Sequence, residues 1–353
     1  MKIVISSRHF NPAYIGHMKA WYNLCVMCNY SVKLFFAIEY EAYFKDENYR
    51  YCTTIEDVES FSPDCAVVQN IGIENIELFK WCKKNKCYLF YILHEPYVGI
   101  KEMMKEGDKV PKHFAAHFLN LWLCKKADKV IICSKYASNN CKKYMRSIFK
   151  KTVVVPLLFM NDYDDNENVE RKYFSMVGTY AISHGSDVFL EFIKKTYMNG
   201  LKMYFQIATR SDITNILSDP VYKQMESEGL LLVQQGRPLT EREICNAYWR
   251  SYVVWNGYRR STQSGVLPNS YMQGTPVIAT HLLSFEEFVK PGVTGVFINS
   301  FEYDDIHFAV SKIMNSEEYL NKNCRDFFMS NFYYASQVNT FCEIMKSINK
   351  SKK

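Results

Sequence analysis

The run "STQSGVLPNSYMQGTPVIATH", Ser261 to His281, has the make-up of an anion-holding turn rather than of ordinary surface. Small and polar residues lead through Gly265 into a short helical stretch. Pro268 suits a first helical position, where its missing N–H is no loss. Gly274 suits the helix end, where backbones often turn left-handed. Thr275 to Thr280 reads as a buried strand. The turn around Gly265 would then offer backbone N–H groups at a helix start, a natural place for phosphate. Arg259 and Arg260, a few residues upstream, are cations of the kind a diphosphate needs. A glycine turn before a helix is common, so the turn alone does not separate a phosphate site from an ordinary connection.

Other reactive residues are sparser. The chain has 12 cysteines, most of them single inside apolar runs such as "DCAVVQ" and "VIICS", where Cys behaves as a small hydrophobe. Cys25 and Cys28 form a lone C-x-x-C with no second pair at zinc spacing, so packing is the expected role. His113 and His117 stand four apart without the Glu of H-E-x-x-H, and are also expected to be structural. No metal site is expected. Asp162-Tyr163-Asp164 is formally a D-x-D, but it sits in the acidic run "NDYDDNENVERK", which reads as a connection between domains.

The elements that must position these residues are legible in the apolar pattern. Short runs alternate with longer amphipathic segments from end to end. Strands are expected at "KIVIS", "SVKLFFA", "CAVVQN", "CYLFYIL", "KVIICS" and "TVVVPLL". After the acidic run they resume at "YFSMVGTY", "KMYFQIA", "LLLVQQG", "SYVVWNG", "TPVIAT" and "GVFIN". Helical patterns such as "IENIELFKWCKKNK" and "HFAAHFLNLWLCKKA" lie between them, which argues for parallel β-α-β units buried on both faces. The fold class expected is α/β, with two Rossmann-like domains over 1–165 and 166–335 and a C-terminal helix, 336–353, packing back on the first. The length of 353 residues suits two cores. Ligands of such sheets bind outside the carboxyl ends of strands, so the expected site is the cleft.

With that frame, Gln263 to Ile298, "QSGVLPNSYMQGTPVIATHLLSFEEFVKPGVTGVFI", resembles the donor-binding core of family 4 glycosyltransferases with the GT-B fold. The carriers are "GTPVIAT" and "PGVTG", in the family's order and spacing. Weaker likeness covers "YILHEP", "KKADKVIICSKY", "SMVGTYAISHG" and "VQQGRPLTEREICNAY". The resemblance implies transfer of a sugar from a nucleotide-diphosphate sugar, a UDP-sugar by preference, with retention at the anomeric carbon and without a metal. It places Gly265 and Val266 where backbone N–H groups hold the diphosphate, with Ser264 in the same turn. It places His94 at the donor sugar, with Glu95 the adjoining carboxylate, and Gly178 and Thr179 in the phosphate-side loop. Arg237, Pro238 and Leu239 fall beside the base, and Asn11, Gly16 and His17 on the acceptor side. The family's two spaced glutamates are absent. Thr262 or Gln263 stands near the first, and Asn269 or Ser270 near the second. Thr179 and His184 replace the basic residues that usually flank the G-x-x-x-x-x-x-G loop; Arg259, Arg260 or Arg210 are the candidates to compensate.

Three alternatives compete with that reading. A GT-A transferase would use Asp162 and Asp164 to hold a metal and diphosphate, but it leaves the second α/β half unexplained. A sugar-nucleotide epimerase of the same fold would need acid and base carboxylates, with Glu95 and Glu287 the candidates. A degenerate paralogue would bind the nucleotide sugar without turning it over.

The net charge of +6 is a modest excess that fits a phosphorylated substrate or anionic lipid. Nucleic acid is the weakest of the possible partners, because no long basic run and no zinc-finger or RNP signature occurs. No apolar stretch approaches the roughly 20 residues of a membrane span, and the N-terminus lacks a signal peptide's pattern. A cytoplasmic protein is expected. Lys101, Lys105, Lys109 and Lys112, with "HFAAHFLNLWLCKK" ending in Lys125 and Lys126, read either as a core helix with a basic flank or as a patch for an anionic membrane. The family resemblance favours the patch: peripheral attachment to the inner face of the cytoplasmic membrane and a lipid-linked glycan acceptor, as in synthesis of bacterial surface polysaccharide such as lipopolysaccharide O-antigen.

Overall fold

The computed structural model describes residues 1–45, 47–69, 71–97, 99, 110–163, 170–261, 264–315 and 317–351; the side chains at 110–113, 317–319 and 349–351 are not described. The chain divides into two compact units: Met1–Met160 with Asn331–Lys353, and Asn161–Ser330.

The first unit is built on seven strands: β1 Lys2–Ser7, β2 Ser31–Phe36, β3 Tyr51–Cys52, β4 Cys65–Val68, β5 Tyr88–Leu93, β6 Lys129–Ile132 and β7 Thr152–Val154. Their order is β3-β2-β1-β4-β5-β6-β7 and all pair in parallel. Every strand expected in this half is present, and β3, a two-residue edge strand without an apolar run, is the addition. The sheet is covered on both faces, which is why its strands read as continuous apolar runs. Ile3, Ile5, Leu34, Phe36 and Ile92 pack under helix Ile15–Met27 and the chain's last helix, Val338–Ser351, through Trp21, Phe341 and Met345. Val4, Phe35, Val68, Tyr91 and Ile132 pack on the opposite side with Leu78, Trp81, Leu123 and Cys141.

The second unit repeats the plan with β8 Tyr173–Val177, β9 Tyr204–Ala208, β10 Leu231–Gln234, β11 Ser251–Asn256, β12 Val277–Thr280 and β13 Gly295–Ile298. The order is β10-β9-β8-β11-β12-β13, again all parallel. Each unit therefore has the doubly wound order in which strand order reverses beside the first strand, between β1 and β4 and between β8 and β11. That reversal opens a crevice at the carboxyl ends of those strands. Phe174, Phe189, Phe205 and Trp255 fill the core on one face of the sheet.

Ten of the twelve cysteines are buried and all are free thiols, Cys25 and Cys28 among them. They pack as hydrophobes. Among the described residues, no helix is long and apolar enough to cross a membrane.

Candidate functional site

In the second unit the crevice lies beyond Val177 of β8 and Asn256 of β11. β8 runs into Gly178, whose φ of +119° is open to glycine and costly for other residues. A Cβ there would rest 3.5 Å from Val266 Cγ2, so this loop lies against the start of helix Val266–Met272. The helix begins two residues before Pro268, not at it. Pro268 is its third residue, still within the first turn, where no intrahelical N–H partner is lost. It ends as Gly274 suggests: φ is +69°, the Gly274 N–H donates to Tyr271 O, and the Thr275 N–H donates to Ser270 O at 2.8 Å. Those two bonds close a left-handed helix end.

Gly265 is exposed with an ordinary φ of −72°, and a Cβ would meet nothing within 4 Å. The fold does not require glycine at that position. Ser264 Oγ accepts the Val266 N–H at 3.2 Å and lies 3.4 Å from both Asn256 Oδ1 and Tyr258 Oη. Asn269, one turn into the helix, is partly exposed. Gln263 and Thr262 lie outside the described residues.

The glycine spacing of the loop after β8 has a visible cause. Gly185 (φ +64°) sits so close to the Gly257 backbone that a Cβ would overlap the Gly257 carbonyl oxygen. Gly257 in turn lies on the Trp255 ring, whose indole N–H donates to the His184 and Gly185 carbonyls at 3.2 and 3.1 Å. Thr179 is exposed. Its carbonyl accepts from His184 Nδ1 at 3.1 Å, and the His184 ring stacks on Tyr258 with centroids 4.2 Å apart and planes at 11°. Burial pushes the Tyr258 hydroxyl up to about 12, so it stays protonated. Asn256, Gly257 and Tyr258 were not among the expected site residues; the available signal was the Asn-Gly pair ending a strand, a turn marker.

The arginines separate by their partners. Arg259 forks onto Asp187, with Nη1 to Oδ1 at 2.6 Å and Nη2 to Oδ2 at 2.8 Å, and also donates to Ile182 O. Burial alone would raise the Asp187 carboxyl, but the Arg259 guanidinium outweighs it and holds it below the ordinary carboxylate range. Arg259 thus staples the loop to helix Ser186–Met198. The half-buried Arg260 follows it, and Arg210 is exposed just beyond the carboxyl end of β9. Arg237 forks onto Glu243 and donates to Pro238 O at 3.1 Å. The Arg237-Pro238-Leu239 loop is held by this pair and by the capping box Thr240–Glu243 that starts the next helix.

The first unit's crevice is lined differently. His94 follows β5 directly, and its ring lies 5.2 Å from Tyr14 and 6.1 Å from His17. His17 Nδ1 donates to Leu158 O at 2.8 Å. Burial lowers both imidazoles, His94 to about 3 with His17 adding to the effect and a bond to the Gln69 backbone opposing it. Both rings are therefore neutral at pH 7. Tyr14, another omission from the expected set, is pushed to about 12 by burial and then by Glu95, which is itself exposed. Asn11 caps the turn that carries Tyr14, through Oδ1 to the Ala13 N–H at 3.1 Å. Gly16 has nothing within 4 Å of a Cβ. The crevice floor is polar: Gln69 after β4 and Ser6 in β1 are both fully buried.

Asp162 is held through its carbonyl, which accepts from Gln273 Nε2 at 3.0 Å. Asp164 lies outside the described residues. Among the described residues, no three His, Cys, Asp or Glu side chains gather as metal ligands.

No protein-family model matches the chain, and no curated protein sequence does. Solved structures do. A glycosyltransferase from Rickettsia africae superposes with a TM-score of 0.74 at 13% identity, covering 99% of this chain and 98% of that one. Anabaena HepE, solved in complex with UDP, superposes with a TM-score of 0.74 at 11% identity over 98% of this chain and all of its own. The lipopolysaccharide outer core galactosyltransferase WaaB gives 0.64 at 13% identity, covering 98% and 99%. At such identities the likeness establishes the fold. Two Rossmann-like, all-parallel domains match the GT-B glycosyltransferases from end to end.

Proposed function

We propose that the protein is a glycosyltransferase that takes its sugar from a nucleotide-diphosphate donor bound at the carboxyl ends of β8 and β11. The observation that carries this reading is the Gly178 loop lying against the Ser264–Val266 turn at the strand-order reversal, with Arg260 and Arg210 close in sequence to the strand ends that frame it. Gly265 is open where a backbone can approach a phosphate, and the fold leaves that position free. Exposed arginine supplies the charge-assisted hydrogen bonds a diphosphate takes. Support for a uridine nucleotide is that HepE was solved with UDP and with UDP-glucose.

The chemistry this arrangement favours is charge stabilisation and positioning. The leaving diphosphate stays in the turn and collects the developing negative charge. Its own oxygen takes the acceptor's proton on the face it leaves, so configuration is retained without a protein nucleophile and without a metal. In the first unit, His94 and Tyr14 present a neutral imidazole and a protonated phenol, suited to hydroxyl groups of a sugar rather than to an anion.

The acceptor in this reading is a lipid-linked glycan at an anionic membrane. In helix Val110–Lys126, Phe118 is 65% exposed and Trp122 40%, while Leu123 and Cys124 are buried. Lys126 Nζ stands 5.9 Å from the centre of the Trp122 ring. Exposed aromatics beside lysines suit a headgroup layer. Lys101, Lys105 and Lys109 lie outside the described residues, as does the side chain of Lys112. Sedimentation with anionic vesicles, lost on Phe118→Ser with Trp122→Ser, checks this part.

The deciding experiment is a thermal-shift panel of UDP-, GDP- and ADP-glucose, followed by product analysis on the one that binds. Stabilisation by one nucleotide sugar and release of its nucleoside diphosphate in the presence of acceptor is the expected result. A C2 or C4 epimer as product, or binding without turnover, would overturn transfer; absence of binding would overturn the donor site.

A further inference from the structure

His184 stands in the loop after β8 as a histidine whose position is fixed by its surroundings. Its Nδ1 meets the Thr179 carbonyl at 3.1 Å. A carbonyl only accepts, so Nδ1 carries the hydrogen and Nε2 is the nitrogen that gains or loses a proton. One face of the ring lies flat on Tyr258, 4.2 Å away, and an aromatic face favours a cation over it. The Tyr258 hydroxyl remains protonated and reaches Ser264 Oγ at 3.4 Å, so the stack links the imidazole to the Ser264–Val266 turn without adding negative charge.

The charged groups around it are balanced. Arg259 and Asp187, from the loop after β11 and the helix after His184, cancel as a forked pair. The Arg260 backbone N–H reaches the Ser183 carbonyl at 3.4 Å. The Trp255 indole N–H donates to the His184 carbonyl and brings no net charge. Only an incoming anion upsets that balance.

We infer that His184 is a proton-gated contact for the diphosphate: it takes up a proton as the anion binds, and donor affinity strengthens as pH falls through the histidine range. This rests on the donor reading above. A lysine in the same place would be charged at every physiological pH, whereas an imidazole makes donor capture follow the pH around the protein.

The test is isothermal titration calorimetry of UDP-glucose, or of GDP- or ADP-glucose if the panel selects it, in two buffers of different ionisation heat from pH 8.5 to 6. A sugar nucleotide is the right probe because its diphosphate is esterified at both ends. The terminal phosphate of free UDP would itself titrate near 6. If the anion raises the imidazole by one unit, binding takes up about half a proton at pH 7 and tightens about 5- to 10-fold from pH 8.5 to 6. His184→Gln is expected to bind more weakly, with no proton uptake and a flat profile. His184→Lys is expected to bind tightly, also with a flat profile. Proton uptake and slope retained in either variant would place the proton elsewhere and overturn the inference. If none of the three nucleotide sugars binds the wild-type chain, the donor reading falls and takes this one with it.

Discussion

The two units share one strand order and use it for opposite kinds of site. At the reversal between β8 and β11 the lining is mostly backbone: Gly178, Gly185, Gly257 and Gly265, with a serine, an asparagine and arginines around them. At the reversal between β1 and β4 the lining is side chain: Tyr14, His17 and His94 packed ring against ring, with Gln69 and Ser6 buried beneath. Topology fixes where each crevice opens. What it can hold is set by whether glycine or a ring occupies the first residues past the strands. Backbone amides and cations suit a polyanion. Neutral, half-buried rings suit an uncharged, hydroxyl-bearing partner.

Within the second unit the glycines themselves divide, and two substitutions separate them. Gly185→Ala puts a Cβ into the Gly257 carbonyl at a left-handed φ of +64°. Overpacking and the wrong hand together are expected to cost about 2–4 kcal/mol of stability, read as a lower urea midpoint with an unchanged slope. Gly265→Val meets nothing and keeps an ordinary φ. It is expected to leave the midpoint within about 0.5 kcal/mol while weakening nucleotide-sugar binding about 100-fold, because its side chain keeps phosphate from the backbone. Equal stability for both variants, or unchanged affinity for Gly265→Val, would remove the distinction.

That division also marks how far the sequence could be read. The strands were visible because each is an apolar run buried on both faces, and the helix end at Gly274 because only a left-handed residue closes it there. β3 escaped notice because two edge residues carry no periodicity. The Gly265 turn could be found from local order alone. Gly257, Tyr258 and Tyr14 could not be, because their place in the site depends on contacts between distant segments: Tyr258 with His184, Gly257 with Gly185, Tyr14 with His94. Arg259 looked like a ligand for the same reason. Nothing adjacent in sequence announces that Asp187, on another element, takes both ends of its fork.

The arginines extend the comparison from backbone to charge. Arg259→Ala is expected to cost about 1 kcal/mol or less of stability, the scale of a half-exposed ion pair, and to change donor affinity less than threefold. Arg210→Ala or Arg260→Ala is expected to leave stability alone and cost about 1.5–3 kcal/mol of donor binding, as for a hydrogen bond to a charged group. Calorimetry on the three variants reads both quantities. A large affinity loss for Arg259→Ala without loss of stability would mean that the Asp187 fork opens to the ligand, and the staple would have to be given up.

The smallest effect concerns the histidines, and it sets the two crevices against each other by pH. His94 is held neutral, mainly by burial and then by His17, down to about 3, against about 6.5 for a histidine in an unfolded chain. Between those values the unfolded chain binds a proton that the folded one refuses, so folding stability drops as pH falls below about 6.5. His17, lowered in the same direction, adds to the slope. From pH 7.5 to 5 the wild-type chain is expected to lose about 1–2 kcal/mol more than His94→Gln, in which that proton site is gone. Urea unfolding at the two pH values measures it, and all other titrating groups cancel in the difference. Identical losses would mean that His94 meets enough water to be protonated in the folded protein, and the first crevice would then no longer be the uncharged one. The expected opposition is specific: acid weakens the fold around His94 while it strengthens anion capture at His184. One chain would carry the same side chain as a liability in one crevice and as a ligand in the other, because the first ring is buried among rings and the second lies beside an anion.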